Sequence, residues 1–315
     1  MNTSAELLAS ARAHNNFQCL DVTAVVITFN PSPGELTALL ASLLPQVREA
    51  LVIDNHSHID VDAICEVLVC RNFSVHRLDK NVGIAAAQNV GIGRAISAGA
   101  AYVLLSDQDS EPAPDMVFAL RCEAESRQMN DGRLAAVGPC FMDTRQANPP
   151  PFIRIKNFRL ERQFDNGSRT PVEVDYLIAS GCLVPVGAFA IVGLMNESMF
   201  IDYVDIEWGL RAKRLGLQSV GVFAASMQHA LGDEPIRFLG RSYPVRSPVR
   251  HYYMVRNAIW MCRQPHVPFQ WKVVEGYKLI LRAGFYALFA RPRLKHMAMM
   301  LKGVAHGLAA RMGPL

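Results

Sequence analysis

Short apolar runs recur through the first third of the chain, and each closes on a polar or turn-forming residue. Thr23–Phe29 (TAVVITF) is continuous and rich in β-branched residues, and it stops at Asn30 and Pro31. That pattern predicts a strand buried on both faces. Ala50–Asp54, Ser74–Leu78 and Tyr102–Ser106 repeat it. Between these runs, Gly34–Leu44 and the stretch from Ile84 to about Ala98 carry apolar residues at helical spacing. Strands alternating with helices predict an α/β fold with a mostly parallel central sheet flanked by helices. Such sheets bind ligands beyond the carboxyl ends of their strands. The residues to inspect are therefore Asn30, Asp54-Asn55, Asp79–Gly83 and Asp107-Gln108-Asp109.

Farther along, the Pro-, Asn- and Arg-rich stretch Arg145–Thr170 predicts a mobile loop with short strands. Val174–Val184 resumes a strand pattern, Asp202–Leu215 reads as a helix and Gln218–Phe223 as a strand. From about Pro248 the chain turns helical, with basic residues among apolar ones. The expected organisation is a flexible leader (1–21), a main domain (22–262) and a helical, membrane-edge C-terminal extension (263–315).

Composition narrows the function classes. Half of the 315 residues are apolar, which excludes a disordered chain. A net charge of +4 suits an anionic ligand or an acidic membrane surface, and no dense basic run calls for nucleic acid. The seven cysteines are scattered without a C-x-x-C pair, which argues against zinc or a disulfide framework and suits a reducing compartment. The first residues lack a basic stretch followed by an apolar core, so no signal peptide is expected. The most apolar late stretch, Val273–Ala290, is interrupted by Glu275, Lys278 and Arg282 and predicts no membrane span.

Several constellations carry chemistry, each beside a plainer structural reading. Asp107 and Asp109 flank one residue after a buried strand, so both carboxylates can reach one hard cation; the same pair would also suit a turn capping the next helix. Asp54 can accept the ring N–H of a pyrimidine base or simply start a turn. Asn81 and Gly83 open the helix beginning at Ile84, whose N-terminus can face a phosphate or merely be capped. In Phe200–Gly216, Asp205 stands in the first helical turn as a candidate general base. Trp208 shares its face and offers a ring for a sugar, while Glu207 and Arg211 have the spacing of an ion pair. Asp202 suits either a helix cap or an acceptor contact. His229 is a candidate metal or diphosphate ligand, and Arg250 and Arg256 can hold phosphate or be surface charges. His56-Ser57-His58 reads as loop.

Read in order, VVITFN, VIDN, NVGIAAAQNVG, LLSDQD, SGCLV, FIDYVDIEW and HYYMVRN resemble family 2 glycosyltransferases. The nearest likeness is to the rhamnosyltransferase branch of O-antigen and rhamnolipid assembly, over about residues 22–262. The resemblance implies a GT-A fold and an inverting transfer of L-rhamnose from dTDP-L-rhamnose to a lipid-linked glycan or glycolipid. It implies that Asn30 and Asp54 meet the nucleoside, and that Asn81 and Gly83 line its pocket. Asp107 and Asp109 would hold Mg²⁺ or Mn²⁺ with the diphosphate, and Asp205 would be the catalytic base. Val204 stands where the family motif has Glu, which keeps Asp202 as the runner-up base. The place of action would be cytoplasmic, at the inner face of the membrane. Rival readings are a transferase of UDP- or GDP-hexose, a nucleotidyltransferase and a nucleotide-binding module. ITFNPSPGE lacks the Gly- and Lys-rich triphosphate loop of a nucleotidyltransferase.

Overall fold

The computed structural model describes residues 17–142, 152–229, 236–238, 241–243 and 246–315. The first part alternates β1 (Cys19–Thr28), α1 (Pro33–Leu43), β2 (Val47–Asp54), α2 (Val61–Cys65), β3 (Phe73–Arg77), α3 (Ile84–Ser97) and β4 (Tyr102–Asp107). Then come β5 (Ser110–Pro112), α4 (Met116–Asn130), β6 (Leu134–Met142), a hairpin of β7 (Phe152–Lys156) and β8 (Arg159–Gln163), β9 (Val172–Val174), β10 (Cys182–Pro185) and α5 (Val186–Val192). The rest runs α6 (Val204–Arg214), β11 (Gln218–His229), a hairpin of β12 (Ile236–Phe238) and β13 (Arg241–Tyr243), α7 (Pro248–Arg263), α8 (Phe269–Phe289) and α9 (Arg293–Leu308).

Nine of these strands form one sheet, in the order β3-β2-β1-β4-β10-β6-β11-β5 with β9 also pairing β11. The β3-β2-β1-β4 half is parallel. β10 runs antiparallel to both β4 and β6, and β11 is parallel to β6. The centre of β1, Ala24–Ile27, is apolar because it faces two cores. Val25 and Ile27 enter one, and Ala24 and Val26 the other. α1 covers the second core with Leu36, Leu39, Leu40 and Leu43, while α3 covers the first with Ala85, Ile92 and Ala95. Gly91 lets α3 approach closely: a Cβ there would lie 2.2 Å from the Val25 side chain.

Two expectations are corrected. β1 begins at Cys19, inside the expected leader, because Cys19 is buried and pairs with Val47; residues 1–16 lie outside the described residues. Val174–Val184 is two strands rather than one. Asp175 leaves the ladder to accept the Ile155 N–H at 2.6 Å, and Gly181 turns with φ +73°. The boundary at 262/263 is crossed by hydrogen bonds: Tyr203 donates to Glu275 at 2.6 Å, and the Gly313 N–H donates to the Ser198 carbonyl at 2.6 Å. α9 also lies tight on α7, where a Cβ at Gly303 would meet the Tyr252 carbonyl at 2.7 Å. Among the described residues no helix is long and apolar enough to cross a membrane.

Candidate active site

The carboxyl ends of β1, β2 and β4 lie side by side. Thr28 pairs with Asp54, and Ile27 with Asp107. Asp54 is 1% exposed and accepts from Thr28 Oγ1 at 3.3 Å and from the Ser57 N–H at 3.1 Å. It thereby folds the following loop back onto the sheet, with Arg77 3.8 Å away. Asn30 fastens the same loop by accepting the His58 N–H at 2.7 Å, and its own N–H donates to Ser57 Oγ at 2.8 Å. His56 and His58 lie in loop. A third loop is tied in through Asn81, whose Oδ1 accepts from Asn55 Nδ2 at 3.0 Å and from the Gly83 N–H at 3.0 Å.

The acidic turn after β4 is fixed through its backbone. The Asp107 N–H donates to Ser180 Oγ at 3.0 Å. The Gln108 side chain brackets Phe29, accepting its N–H at 2.7 Å and donating to its carbonyl at 3.3 Å. Asp107 and Asp109 are half-buried. Two carboxylates fit a hard divalent cation that takes its other oxygens from a diphosphate and water. Among the described residues no three His, Cys, Asp or Glu side chains form a metal-holding group. The His229 backbone ends β11 opposite Ser110, but its side chain lies outside the described residues.

Asp205 approaches the same turn. Its Oδ2 accepts the Ala179 N–H at 3.4 Å, and its Oδ1 accepts the Ile206 N–H at 2.8 Å. Ala179 and Ser180 are consecutive, so one short segment holds both the Asp205 carboxylate and the backbone of Asp107. Behind Asp205 lies an apolar pocket lined by Leu105, Leu177, Cys182 and Trp208. Burial pushes its carboxyl above the usual range; the two backbone N–H groups partly oppose this, and the negative charge of Asp202 adds to it.

The loop leading to Asp205 is strained. Phe200, Asp202 and Tyr203 take φ values of +65°, +64° and +67°, a region costly for residues with a Cβ. Asn257 Nδ2 holds it by donating to the Met199, Ile201 and Asp202 carbonyls at 2.8–3.0 Å. The Phe200 carbonyl accepts the Ile84 N–H at 2.7 Å. The N-terminus of α3, expected as a phosphate seat, thus spends its first donor on this loop. Gly83 is required there: it has φ +84°, and a Cβ would lie 2.6 Å from both the ring and the carbonyl of Phe200. Gly83→Ala is expected to destabilise the fold by about 1–3 kcal/mol, read as a lowered Tm.

Other expected contacts are corrected. Trp208 is only 4% exposed, packs against Phe189 and donates its indole N–H to the Gly193 carbonyl at 2.8 Å. It therefore presents no free ring for an acceptor sugar. Arg256 is fully buried, far from any phosphate role. It donates to the Met199 carbonyl at 2.8 Å, the Ser198 carbonyl at 3.3 Å and the Gly313 carbonyl, and it stacks on Tyr252 and Tyr253. Asp202 is gripped by Arg246 and Arg250, so its carboxylate is engaged in ion pairs. Glu207 pairs with Arg211 at 2.9 Å and meets His266 at 3.1 Å. Ser180 and Asn257 join the site as supports that no motif in the sequence marks, and Gln108, singled out only as part of the acidic turn, proves to brace Phe29; the adjacency of Asn257 to Arg256 in HYYMVRN is the available signal.

The glycosyl transferase family 2 model matches residues 23–176. The dTDP-rhamnosyl transferase RfbF of Shigella flexneri is 31% identical over 294 residues, covering 91% of this chain and 95% of that protein. A low-salt glycan biosynthesis hexosyltransferase, Agl10 of Haloferax volcanii, is 20% identical over 93% of both chains. Among solved structures, GalNAc-T7 with UDP, GalNAc and Mn²⁺ superposes with a TM-score of 0.57 at 14% identity, over 92% of this chain and 56% of that one. S. aureus TarS 1–349 in complex with UDP-GlcNAc gives 0.52 at 15% identity, over 92% of this chain and 81% of that one.

Proposed function

The chain belongs to glycosyl transferase family 2 and is a glycosyltransferase, and from that premise we propose that it transfers L-rhamnose from dTDP-L-rhamnose with inversion. The acceptor in this reading is a hydroxyl of a lipid-linked glycan or glycolipid at the cytoplasmic face of the membrane. The donor assignment is supported by the likeness to a dTDP-rhamnosyl transferase across nearly the whole chain. The observation that carries the chemistry is the 179–180 segment, which bonds both Asp205 and the backbone of the acidic turn.

Asp205 takes the proton of the acceptor hydroxyl as its oxygen forms the new bond to the anomeric carbon. The bond from that carbon to the diphosphate breaks, and the electron pair leaves with the nucleotide. Asp107 and Asp109 are the residues that would hold a Mg²⁺ or Mn²⁺, which when bound would supply positive charge against the departing diphosphate. Asp54 and Asn30 orient the nucleoside at the ends of β1 and β2, and Asn81 with Gly83 shapes the neighbouring wall.

Asp109→Ala is expected to weaken Mn²⁺-dependent nucleotide binding by on the order of tenfold or more, since it removes one of two carboxylate ligands. Calorimetry with dTDP, with and without Mn²⁺, checks this; unchanged metal dependence would remove Asp109 as a ligand. A panel of dTDP-, UDP- and GDP-sugars assayed for nucleotide release tests the donor. Preference for a UDP-hexose would overturn the rhamnose assignment.

A further inference from the structure

The C-terminal helices expose apolar surface that the transfer site does not use. On α8 the solvent face carries Phe269, Val273, Tyr277, Ile280 and Leu288, with Ile280 73% exposed. Phe158, at the tip of the β7–β8 hairpin, meets Phe269 edge-on and extends this face. On α9, Leu294, Met297, Leu301, Val304 and Leu308 recur at intervals of three and four residues, and Leu294 is 81% exposed. The opposite side of α9 is the packed one, where His296, Met300, Gly303 and Gly307 are buried. These stripes are therefore outward faces of two docked helices, not unfinished core.

The charge around them has one sign. From Gly276 to Leu315 there are seven Lys and Arg and no Asp or Glu. The last acid, Glu275, is buried and faces inward to Lys278, Arg282 and Tyr203. Arg291, Arg293, Lys295, Lys302 and Arg311 are all exposed. Apolar stripes edged by cations are how interfacial helices rest on anionic lipid. A second copy of the chain suits this surface less well, because a two-fold contact would set cations against their own copies.

We infer that α8 and α9 form a docking surface for anionic phospholipid, with the Leu294/Leu301/Leu308 stripe entering the interface and Lys295 and Lys302 meeting headgroups. This deepens the reading of a membrane-bound acceptor, and it is tested without any sugar. The full chain is sedimented with vesicles of phosphatidylcholine alone or containing phosphatidylglycerol. Binding is expected only with phosphatidylglycerol, and it should weaken with salt. Lys295→Glu/Lys302→Glu and Leu294→Asp/Leu301→Asp should each lower the partition coefficient by on the order of tenfold or more. All four residues are exposed, so an unchanged Tm is expected in both variants. Equal binding of wild type and variants would overturn the inference. So would equal binding to neutral vesicles, or self-association that Leu301→Asp disperses. Loss of dTDP-sugar turnover with vesicle binding intact would sink the transfer reading alone.

Discussion

Asp205→Asn is expected to lower kcat by about 10²–10⁴-fold while leaving nucleotide binding within about twofold of wild type. Asn keeps one oxygen for the 2.8 Å bond from the Ile206 N–H and gives up only the long 3.4 Å contact from the Ala179 N–H, so the loop should survive. What it loses is the capacity to take a proton. The same burial predicts a pH signature. A base works only when ionised, and burial raises the Asp205 carboxyl. The acid limb of the rate profile should therefore sit above the ordinary Asp range near 4. The effect on stability has the opposite sign to that of a salt-bridged Asp. The native state holds this proton to higher pH than the unfolded chain does. Any stability gained from protonation is thus present at low pH and lost as pH rises through the folded-state pKa. Asp205→Asn should consequently melt at or above the wild-type temperature at neutral pH. A variant that loses turnover and also melts well below wild type would point to a structural role.

Arg256→Met should be the most damaging change outside the acidic edge. The buried guanidinium serves carbonyls of Ser198, Met199 and Gly313 and is stacked on two tyrosines. Met fills part of the volume and leaves those acceptors short of donors, at a cost of roughly 2–4 kcal/mol and a Tm lowered by roughly 5–10 °C. Because the Ser198 and Met199 carbonyls belong to the segment leading into Phe200 and Asp202, kcat should fall further than nucleotide affinity. Arg256→Lys should rescue little, since a single ammonium cannot reproduce the fork. Thermal melts beside steady-state kinetics separate these effects; a Lys variant indistinguishable from wild type would refute the fork.

The parallel half of the sheet was legible in the sequence because its central strands face two cores and so read as unbroken apolar runs. The antiparallel half was less so. β6 contains Gly138 and Pro139 within LAAVGPCFM, which mimics turn chemistry, and it went unassigned. The run from Val174 to Val184 hid a break because Asp175 is committed to Ile155 and Lys213, partners no local pattern reveals. Residue type and position after a strand or in a first helical turn singled out Asp54, Asp107 and Asp205, but the same positions also suit turn and cap roles. They could not tell which face of a helix turns inward. Trp208 and Arg256 were read as ligand contacts for that reason, although the i,i+4 spacing of Tyr252 and Arg256 matches the stacking seen.

Much of the bracing of the loop before Asp205 comes from residues later in the chain: Tyr203 bonds Glu275, and the carbonyls of Ser198, Met199, Ile201 and Asp202 are held by Arg256 and Asn257. Synthesis from the N-terminus therefore delivers β1 to β4 long before the residues that brace this loop. A growing polypeptide carrying the first half has β1 to β4, yet it lacks the later anchors that hold the Asp205 loop in position. The bracing of this loop is complete only once α7 and α8 have emerged.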